Sequence, residues 1–168
     1  MEVLECVRAR IETREFKPDP VPEPVIQKLL EAGRWSPSQR NRQPWHFIVV
    51  QNRDTLKQLG AMAPSGPYLA DAALAIVVVT EGARAPLIDG TRAISSIQLV
   101  AWAEGLGSCW IGGVDREGVK RLLDIPEACE LVTVLPFGYP ADGAKALRKR
   151  RKPLAQIAHR ERFGTPYR

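Results

Sequence analysis

The chain has 168 residues, of which 45% are apolar and 26% charged, and its net charge is +5. These values predict one globular domain, residues 1–168, with a full hydrophobic core. The longest apolar run, 72–79, is too short to cross a bilayer, and the N-terminus lacks the apolar core of a signal peptide. We therefore expect a cytoplasmic protein without a membrane partner.

Residue types and motifs exclude several kinds of chemistry. The three cysteines are widely spaced without a CxxC pair, and there are only two histidines, so neither a zinc site nor a histidine-rich metal site is expected. Walker, G-x-G-x-x-G and G-x-S-x-G patterns are absent, which removes several common enzyme classes.

In chain order, the hydrophobic pattern predicts an α+β fold in which helices outnumber strands. Helices are expected at residues 2–11, 22–33, 53–59, 88–104 and 115–123, with a last helix that begins at Pro153. Strands are expected at residues 47–50, 74–80, 109–111 and 130–136. The longest helix is apolar on most of its faces, which indicates a central core helix or an interface helix.

The most informative stretch is the segment 36–45, which separates the second predicted helix from the first predicted strand. Two prolines bracket it, so neither a helix nor a central strand can continue through it. Between them lie short hydroxyl and amide side chains and two arginines, which suit the polar edge of a planar heterocycle. From the residues alone, a polar turn rich in capping residues is an equally good interpretation.

Three other segments could converge with this loop. Arg10 and Arg14 lie at and just beyond the C-terminal end of the first predicted helix, where cations are favoured by the helix dipole but could also begin an anion site. The pair Gly112-Gly113 is typical of a turn, yet it would also let a ligand approach a backbone amide. The basic run 148–152 indicates an anionic partner, such as a phosphate or nucleic acid, or a solvated surface. Together these groups match what a flavin mononucleotide requires.

Four motifs resemble the FMN-dependent nitroreductase family. Residues 36–49 resemble its P-S-x-x-N-x-Q-P-W signature, and residues 10–16 resemble its N-terminal R-R-S-x-R-x-F. Residues 105–113 resemble its G-L-G-x-x-W-I-G-G, and residues 150–164 resemble its C-terminal R-x-K-P-L and H-x-x-x-G tail. Because the four motifs follow the family's order along nearly the whole chain, the chain is identified as a short, compact member.

The resemblance implies an α+β fold with a central, mostly antiparallel sheet flanked by helices, in an intertwined homodimer with two FMN sites at the interface. The long helix would supply much of that interface. The resemblance also implies an NAD(P)H-dependent flavin oxidoreductase that reduces nitroaromatics, quinones or similar small oxidants. NADH or NADPH would deliver a hydride to flavin N5 and leave before the oxidant binds, so no catalytic side chain is expected.

By position, the resemblance assigns Arg10 to the phosphate and Arg14 to the pyrimidine edge near N1 and O2. A backbone amide of the glycine pair would lie at N5, and the loop would reach the flavin bound mainly by the other protomer. Arg150 and Lys152 would complete the phosphate clamp. The full expected cofactor-binding set is Arg10, Ile11, Glu12, Arg14, Pro37, Ser38, Gln39, Asn41, Gln43, Ile111, Gly112, Gly113, Arg150 and Lys152.

Three departures from the family pattern affect the expected site. Ile11 replaces the second arginine of the N-terminal motif, and Glu12 stands beside the phosphate where the family usually has serine. A carboxylate there repels a phosphate, so our hypothesis is that Glu12 pairs with Arg10, Arg14 or the basic run and weakens FMN binding. Tyr68 stands where some members have a lysine near the flavin. The helical insertion of larger members is missing, so a more open active site is expected.

Two other function classes are compatible with parts of the sequence. A flavin-binding storage or sensing protein with little turnover would share the same site, and Glu12 and the short chain suit it. A nucleic-acid binder could use the basic run, but aromatic residues do not interleave with that run as single-strand binders require. We therefore expect no nucleic-acid partner.

Overall fold

The computed structural model describes residues 2–143 and 149–167. Five helices cover α1 Val3–Ala9, α2 Glu23–Arg34, α3 Arg53–Ala61, α4 Pro86–Ala103 and α5 Arg116–Leu122. Four strands cover β1 Trp45–Val50, β2 Leu74–Glu81, β3 Gly107–Ser108 and β4 Cys129–Gly138. Short 3₁₀ turns lie at Gln39–Asn41, Pro67–Asp71 and Leu154–Gln156.

The four strands form one antiparallel sheet in the order β1-β2-β4-β3. β2 is central and is buried on both faces from Leu74 to Thr80, which explains why this strand is an uninterrupted apolar and β-branched run. On one face, Ile76 and Val78 pack with α2 and α4. On the other, Val77 and Val79 pack with α3 and α5. This is the expected α+β fold with helices on both sides of the sheet.

Local sequence signals explain where several helices begin. The Asn52 side chain accepts hydrogen bonds from the backbone of Asp54 and Thr55 and so caps α3. Asp115 caps α5 by accepting from the Gly118 backbone, as the sequence predicts. α2 and α4 have a proline in their first turn. An amide hydrogen in the first turn of a helix has no partner within the helix, and proline lacks this hydrogen, so it is favoured there.

The prediction for the third strand was wrong: the strand lies at Gly107–Ser108 rather than at 109–111. Its position is set by a close approach, because a side chain added at Gly107 would lie 2.4 Å from the Thr13 hydroxyl. Thr13 donates its backbone N–H to the Ser108 carbonyl at 2.9 Å. After Ser108 the chain leaves the sheet. The position of this strand therefore depends on a contact with a segment that is distant in the sequence. Short-range periodicity cannot predict such a contact.

The predicted last helix was also wrong. Only a 3₁₀ turn, Leu154–Gln156, follows Pro153. Leu154 and Ile157 are 65% and 60% exposed, so the apolar side of the expected helix does not pack against the residues that the structure describes. Without such packing a short helix is not stable. Arg148, the first residue of the basic run, lies outside the described residues.

Within the described ranges, every helix falls short of the combination of length and apolarity needed to span a lipid bilayer.

Candidate functional site

The segment that follows α1 runs along the β3–β4 edge of the sheet. Glu12 pairs with Ser108 in a parallel bridge, and Phe16 pairs with Pro140 in an antiparallel one. Thr13 is buried between them, whereas Arg14 is exposed. Because successive side chains of an extended segment point to opposite sides, the buried threonine places Glu12 and Arg14 on the open side. The sequence thus places its N-terminal charged residues at a sheet edge.

Cations surround a cavity of about 280 Å³ beside this segment. The cavity is lined by Arg10, Ile11, Glu12, Arg14, Lys149, Arg150 and Arg151. Lys149 donates to the carbonyls of Val7 and Arg8 at 3.1 and 2.5 Å, which attaches the C-terminal segment to the end of α1. Five cations against one carboxylate make this cavity suited to an anion.

The crowded positive charges affect the pKa of one of these residues, Lys149. Burial, together with repulsion from Arg151 and Arg10, lowers the pKa of Lys149 below its ordinary value. An anion bound in the cavity would relieve that repulsion. Lys152, which the sequence assigns to the phosphate clamp, is not among the lining residues, whereas its neighbours Arg150 and Arg151 are.

Glu12 holds two neighbouring groups at once. Its Oε1 accepts from Arg10 Nη2 at 2.7 Å, and its Oε2 accepts from the Trp110 backbone N–H at 2.9 Å. Burial acts to raise the pKa of Glu12, but these two hydrogen bonds outweigh it and hold the pKa below its ordinary value. The expected pairing of Glu12 with an arginine is therefore confirmed, and Arg10 is the partner.

Arg10 keeps one donor available. Its Nη1 is buried and has no hydrogen-bond partner within the described part of the chain. A buried guanidinium donor without a partner is costly, and this one belongs to a residue that lines the cationic cavity. A bound oxyanion would satisfy it.

A second polar contact links Arg14 to the far side of the site. The Arg14 guanidinium interacts with the phenol of Tyr68, which helps to raise the pKa of Arg14, and the Tyr68 hydroxyl donates to Cys109 Sγ at 3.2 Å. Burial, with a smaller effect from Cys109, raises the pKa of Tyr68 to about 12, so the phenol stays neutral at physiological pH. Burial also raises the pKa of the Cys109 thiol. This supports the interpretation of Cys109 as a buried structural thiol rather than a redox group.

The structure distinguishes the two glycines of the predicted N5 contact. Gly113 donates its N–H to Ser65 Oγ at 2.7 Å. Gly112 is exposed, a side chain built on it would meet no atom within 4 Å, and its N–H has no recorded partner among the described residues. Ile111 is 1% exposed and packs in the core, so only its backbone borders the site. Gly112 thus offers the open backbone donor.

The loop 36–43 is held in an unusual conformation. Arg40, Asn41 and Gln43 have φ values of 55°, 53° and 51°, a left-handed region that non-glycine residues rarely adopt. Ser38 Oγ accepts from the Gln43 backbone at 2.8 Å, and Asp89 Oδ1 accepts from the Gln39 backbone at 3.0 Å. Several bonds therefore hold a loop whose own side chains are mostly exposed.

This loop lies beside α4 and apart from the basic cavity. Pro37 lines a groove of about 630 Å³ with α4 residues that include Leu87 and Ile88. Within the described part of one protomer, the loop residues line none of the cavities that Arg10 lines. The structure thus brings Arg10, Ile11, Glu12 and Arg14 to one cavity at the edge of the sheet. The glycine pair follows Trp110, whose N–H Glu12 accepts, but lines no part of that cavity, and Gly113 bonds to Ser65 instead. The loop residues Pro37, Ser38, Gln39, Asn41 and Gln43 lie at another place, beside α4.

Sequence reasoning missed several residues that build these two places. Lys149 and Arg151 are hidden in a run of like charges, and no sequence signal distinguishes them from their neighbours. Tyr68 was expected near the flavin, but its contact with Cys109 was missed, because the two residues are 41 positions apart and the contact has no local signature. Asp89 looks like an ordinary acidic residue in the first turn of a helix, which the helix dipole alone would explain.

Comparison with known proteins gives a consistent assignment. The model of the nitroreductase family matches residues 7–81 and 67–139. A Methanothermobacter thermautotrophicus protein named as an NADH dehydrogenase/NAD(P)H nitroreductase is 38% identical over 151 residues, which cover 84% of this chain and 79% of that protein. A Staphylococcus aureus protein named as an NADPH-dependent oxidoreductase is 24% identical over 96% of this chain and 74% of its own length.

Solved structures agree with the sequence comparison. A crystal structure described as an NADH dehydrogenase/NAD(P)H nitroreductase from Parabacteroides distasonis has a TM-score of 0.85 and 32% identity, with 94% of this chain and 96% of that chain covered. An FMN-dependent nitroreductase from Clostridium difficile has a TM-score of 0.87 and 26% identity, with coverage of 95% and 99%. Sheet order, motif positions and these relatives agree, and the chain belongs to the nitroreductase family.

Proposed function

We propose that this chain is an FMN-dependent NAD(P)H oxidoreductase that reduces nitroaromatics, quinones or similar small oxidants. The observation that carries the proposal is the cationic cavity beside the N-terminal segment, whose Glu12 also binds the Trp110 backbone two residues before the open Gly112. Relatives named as FMN-dependent and NAD(P)H-dependent support the choice of cofactor and electron donor. NADH and NADPH both remain candidates for the donor.

The residues present fit FMN. The buried Nη1 of Arg10 lacks a partner within the described residues, and a phosphate oxygen would supply one. Lys149, Arg150 and Arg151 add the positive charge that a phosphate with about two negative charges requires. The absence of a side chain at Gly112 leaves room for a planar ring against the backbone. Lys152 and the loop residues stay predictions as FMN contacts.

FMN, when bound, would supply the hydride chemistry at its N5 atom. The residues of this chain would bind and orient it. Arg14 would hold positive charge at the pyrimidine edge, where negative charge increases on reduction, and it lies close enough to the Tyr68 phenol to interact with it. The neutral phenol of Tyr68 adds no charge there. No side chain acts as nucleophile in this proposal.

Substrate access follows from a short connection. Only residues 82–85 join β2 to α4, so no additional helix is inserted between these two elements. We propose that NAD(P)H and the oxidant occupy the same open side in turn, in a ping-pong sequence. The open side also favours a broad range of small planar oxidants over a single shaped substrate.

A homodimer completes the proposed site. Apolar side chains remain exposed on the N-terminal helix, on the start of α4 and along the C-terminal segment, and they include Val3, Leu87, Ile88, Ile157 and Phe163. An apolar surface of this kind marks an interface with another chain. A second copy would bury it and would place the loop 36–43 of one protomer over the flavin bound by the other.

The test is spectroscopic and kinetic. Purified protein supplied with FMN should show the flavin absorbance bands of a bound cofactor after desalting, and it should oxidise NADH or NADPH in the presence of menadione or a nitrofuran. Loss of all flavin on desalting, with no measurable affinity for added FMN, would contradict the proposal.

A flavin storage or sensing protein is the second candidate. The Glu12–Arg10 ion pair favours it, because Glu12 competes with a phosphate for the same arginine. Such a protein would bind FMN but would oxidise NAD(P)H no faster than free FMN does. Turnover with menadione well above that of free FMN therefore separates the two candidates.

A further inference from the structure

The conformation of the loop 36–43 is costly and has no hydrophobic compensation. A non-glycine residue held at positive φ is energetically unfavourable, and the loop has three of them, Arg40, Asn41 and Gln43. The side chains of residues 39–43 are exposed, so ordering them buries little apolar surface. Strain of this kind persists only where the surroundings impose it, and it concentrates at functional sites.

Asp89 contacts the loop from the protein interior. It lies in the first turn of α4 and is 2% exposed. Its Oδ1 accepts the backbone N–H of Gln39 at 3.0 Å, and Gln39 is the residue immediately before the left-handed pair Arg40 and Asn41. A buried carboxylate is unfavourable unless it is hydrogen-bonded, so its bond to the loop is a strong restraint on both partners.

The remaining anchors of the loop also lead to α4. Ser36 Oγ bonds to Ser96 Oγ at 2.8 Å and lies 3.5 Å from the Arg92 carbonyl. Ser36 thus fixes where the loop begins, and Asp89 fixes the backbone at its turn. Ser38 closes the turn internally through the Gln43 N–H. Asp89 is the charged member of this set and the one that acts on the strained backbone.

We propose that Asp89 is a positioning residue that holds the loop 36–43 in the conformation with which it binds FMN. The inference rests on the proposed function, since it assigns a role to a loop expected to contact the flavin. Asp89 would act through the Gln39 amide and would not touch the cofactor itself. Because Asp89 lies on α4, whose N-terminal end is exposed and apolar, it also connects the loop to the expected dimer interface.

The experiment compares two variants that separate the position of the acceptor from its charge. Asp89→Asn keeps an oxygen at the same place and removes the charge, whereas Asp89→Glu keeps the charge and moves the oxygen by one methylene. The full-length protein is stripped of FMN, and its affinity for FMN is measured by fluorescence. We expect the Asp89→Asn variant to bind within about threefold of wild type and the Asp89→Glu variant to bind about tenfold or more weakly.

A second measurement does not depend on FMN. Amide hydrogen exchange of the stripped protein should show that the Gln39 amide is protected in wild type and in Asp89→Asn. The same amide should lose that protection in Asp89→Glu and in Asp89→Ala. Leu56→Ala is the control, because Leu56 is fully buried on the opposite side of the sheet. It should lower the melting temperature but leave the FMN affinity within about threefold of wild type.

The outcomes are distinct. Equal FMN affinity in wild type, Asp89→Glu and Asp89→Ala would overturn the inference, and so would an Asp89→Asn variant that binds more weakly than Asp89→Glu. Unchanged Gln39 protection in the two disruptive variants would overturn it as well. Failure of wild type to bind FMN at all would instead contradict the proposed function, and the exchange data would still decide whether Asp89 orders the loop.

Discussion

The two places expected to meet at the flavin are built on opposite physical principles. The basic cavity gathers five cations whose mutual repulsion helps to lower the pKa of Lys149, and it is ordered by backbone pairing along a sheet edge. The loop 36–43 has a strained backbone held by hydrogen bonds to α4 and within itself. The first can supply affinity through charge, and the second can supply geometry through preorganisation. Substitutions in the basic cavity and substitutions that affect the loop should therefore change different measured quantities.

The largest expected effect comes from separating the two places. Ile88 is 58% exposed on α4, and Ile88→Glu would put a charge into the expected dimer interface. We expect a monomer that has lost its flavin, because the loop of the partner is then removed from the site. Size-exclusion chromatography with light scattering measures the oligomeric state. The flavin absorbance of the same peak measures the flavin content.

The control for this experiment is Lys57→Glu on α3, whose side chain is 67% exposed. It should leave both the oligomeric state and the flavin content unchanged. A monomeric Ile88→Glu protein that keeps its FMN would show that one protomer suffices for binding and would end the intersubunit interpretation.

Removing the central cation of the basic cavity should have the next largest effect. Arg10→Ala deletes the buried donor assigned to the phosphate, so FMN affinity should fall by about 10- to 100-fold, with the remaining affinity less sensitive to salt. Fluorescence titrations at two ionic strengths test this. Arg34→Ala, which removes an exposed arginine paired with Glu31, should bind FMN as wild type does. Similar affinities in the two variants would place the phosphate elsewhere.

Replacing the one carboxylate of the cavity should strengthen binding. Glu12→Ser frees Arg10 from its 2.7 Å ion pair, and FMN affinity should rise by up to about tenfold. The same change removes the acceptor of the Trp110 N–H, so the free energy of unfolding should fall by about 1–2 kcal/mol. Isothermal titration and chemical denaturation measure the two effects.

Glu15→Ser is the matched control for the preceding variant, because Glu15 is exposed and does not line the basic cavity. Glu15→Ser should leave both the FMN affinity and the free energy of unfolding close to their wild-type values. Unchanged or weaker FMN binding in Glu12→Ser would rule out the idea that Glu12 competes with the phosphate.

The smallest expected effect concerns alkaline pH. The folded pKa of Tyr68, about 12, lies above the ordinary value of 10.0, so its contribution to stability is fully present below pH 10 and is lost as pH rises toward 12. Tyr68→Phe should therefore unfold with a weaker pH dependence between pH 10 and 12. The exposed Tyr167 provides the control, and Tyr167→Phe should retain the wild-type slope. Equal slopes in all three proteins would mean that Tyr68 ionises as freely as an exposed tyrosine.

Sequence reasoning succeeded where a short stretch carries its own physical reason. The apolar run of β2 is stable only when both of its faces are buried, and Asp115 is a typical first residue of a helix. Both features can therefore be predicted from neighbouring residues. The motifs that identify the family lie in such stretches, which is why the family could be recognised from the segments around Arg10 and Gly112 before the fold was known.

It failed where a residue's role depends on a distant partner. β3 is placed by the contact of Gly107 with Thr13. At the last predicted helix, Leu154 and Ile157 stay exposed among residues 2–143 and 149–167. Asp89 shows the same difficulty within the site, since neither its burial nor its bond to Gln39, 50 residues away, leaves a trace in local sequence. These interactions are tertiary, and periodicity does not encode them.

The four-residue connection between β2 and α4 has a consequence for how such enzymes diversify. Gly82 has a φ of 61° with no atom within 4 Å of a built side chain, so the chain there is surrounded by open space. Lengthening a surface connection adds loop-closure entropy only slowly, about 0.6 kcal/mol per doubling of length. Additional residues could therefore be grafted at Gly82 without disturbing the sheet. This position offers evolution or an engineer a low-cost route for adding a segment to the chain.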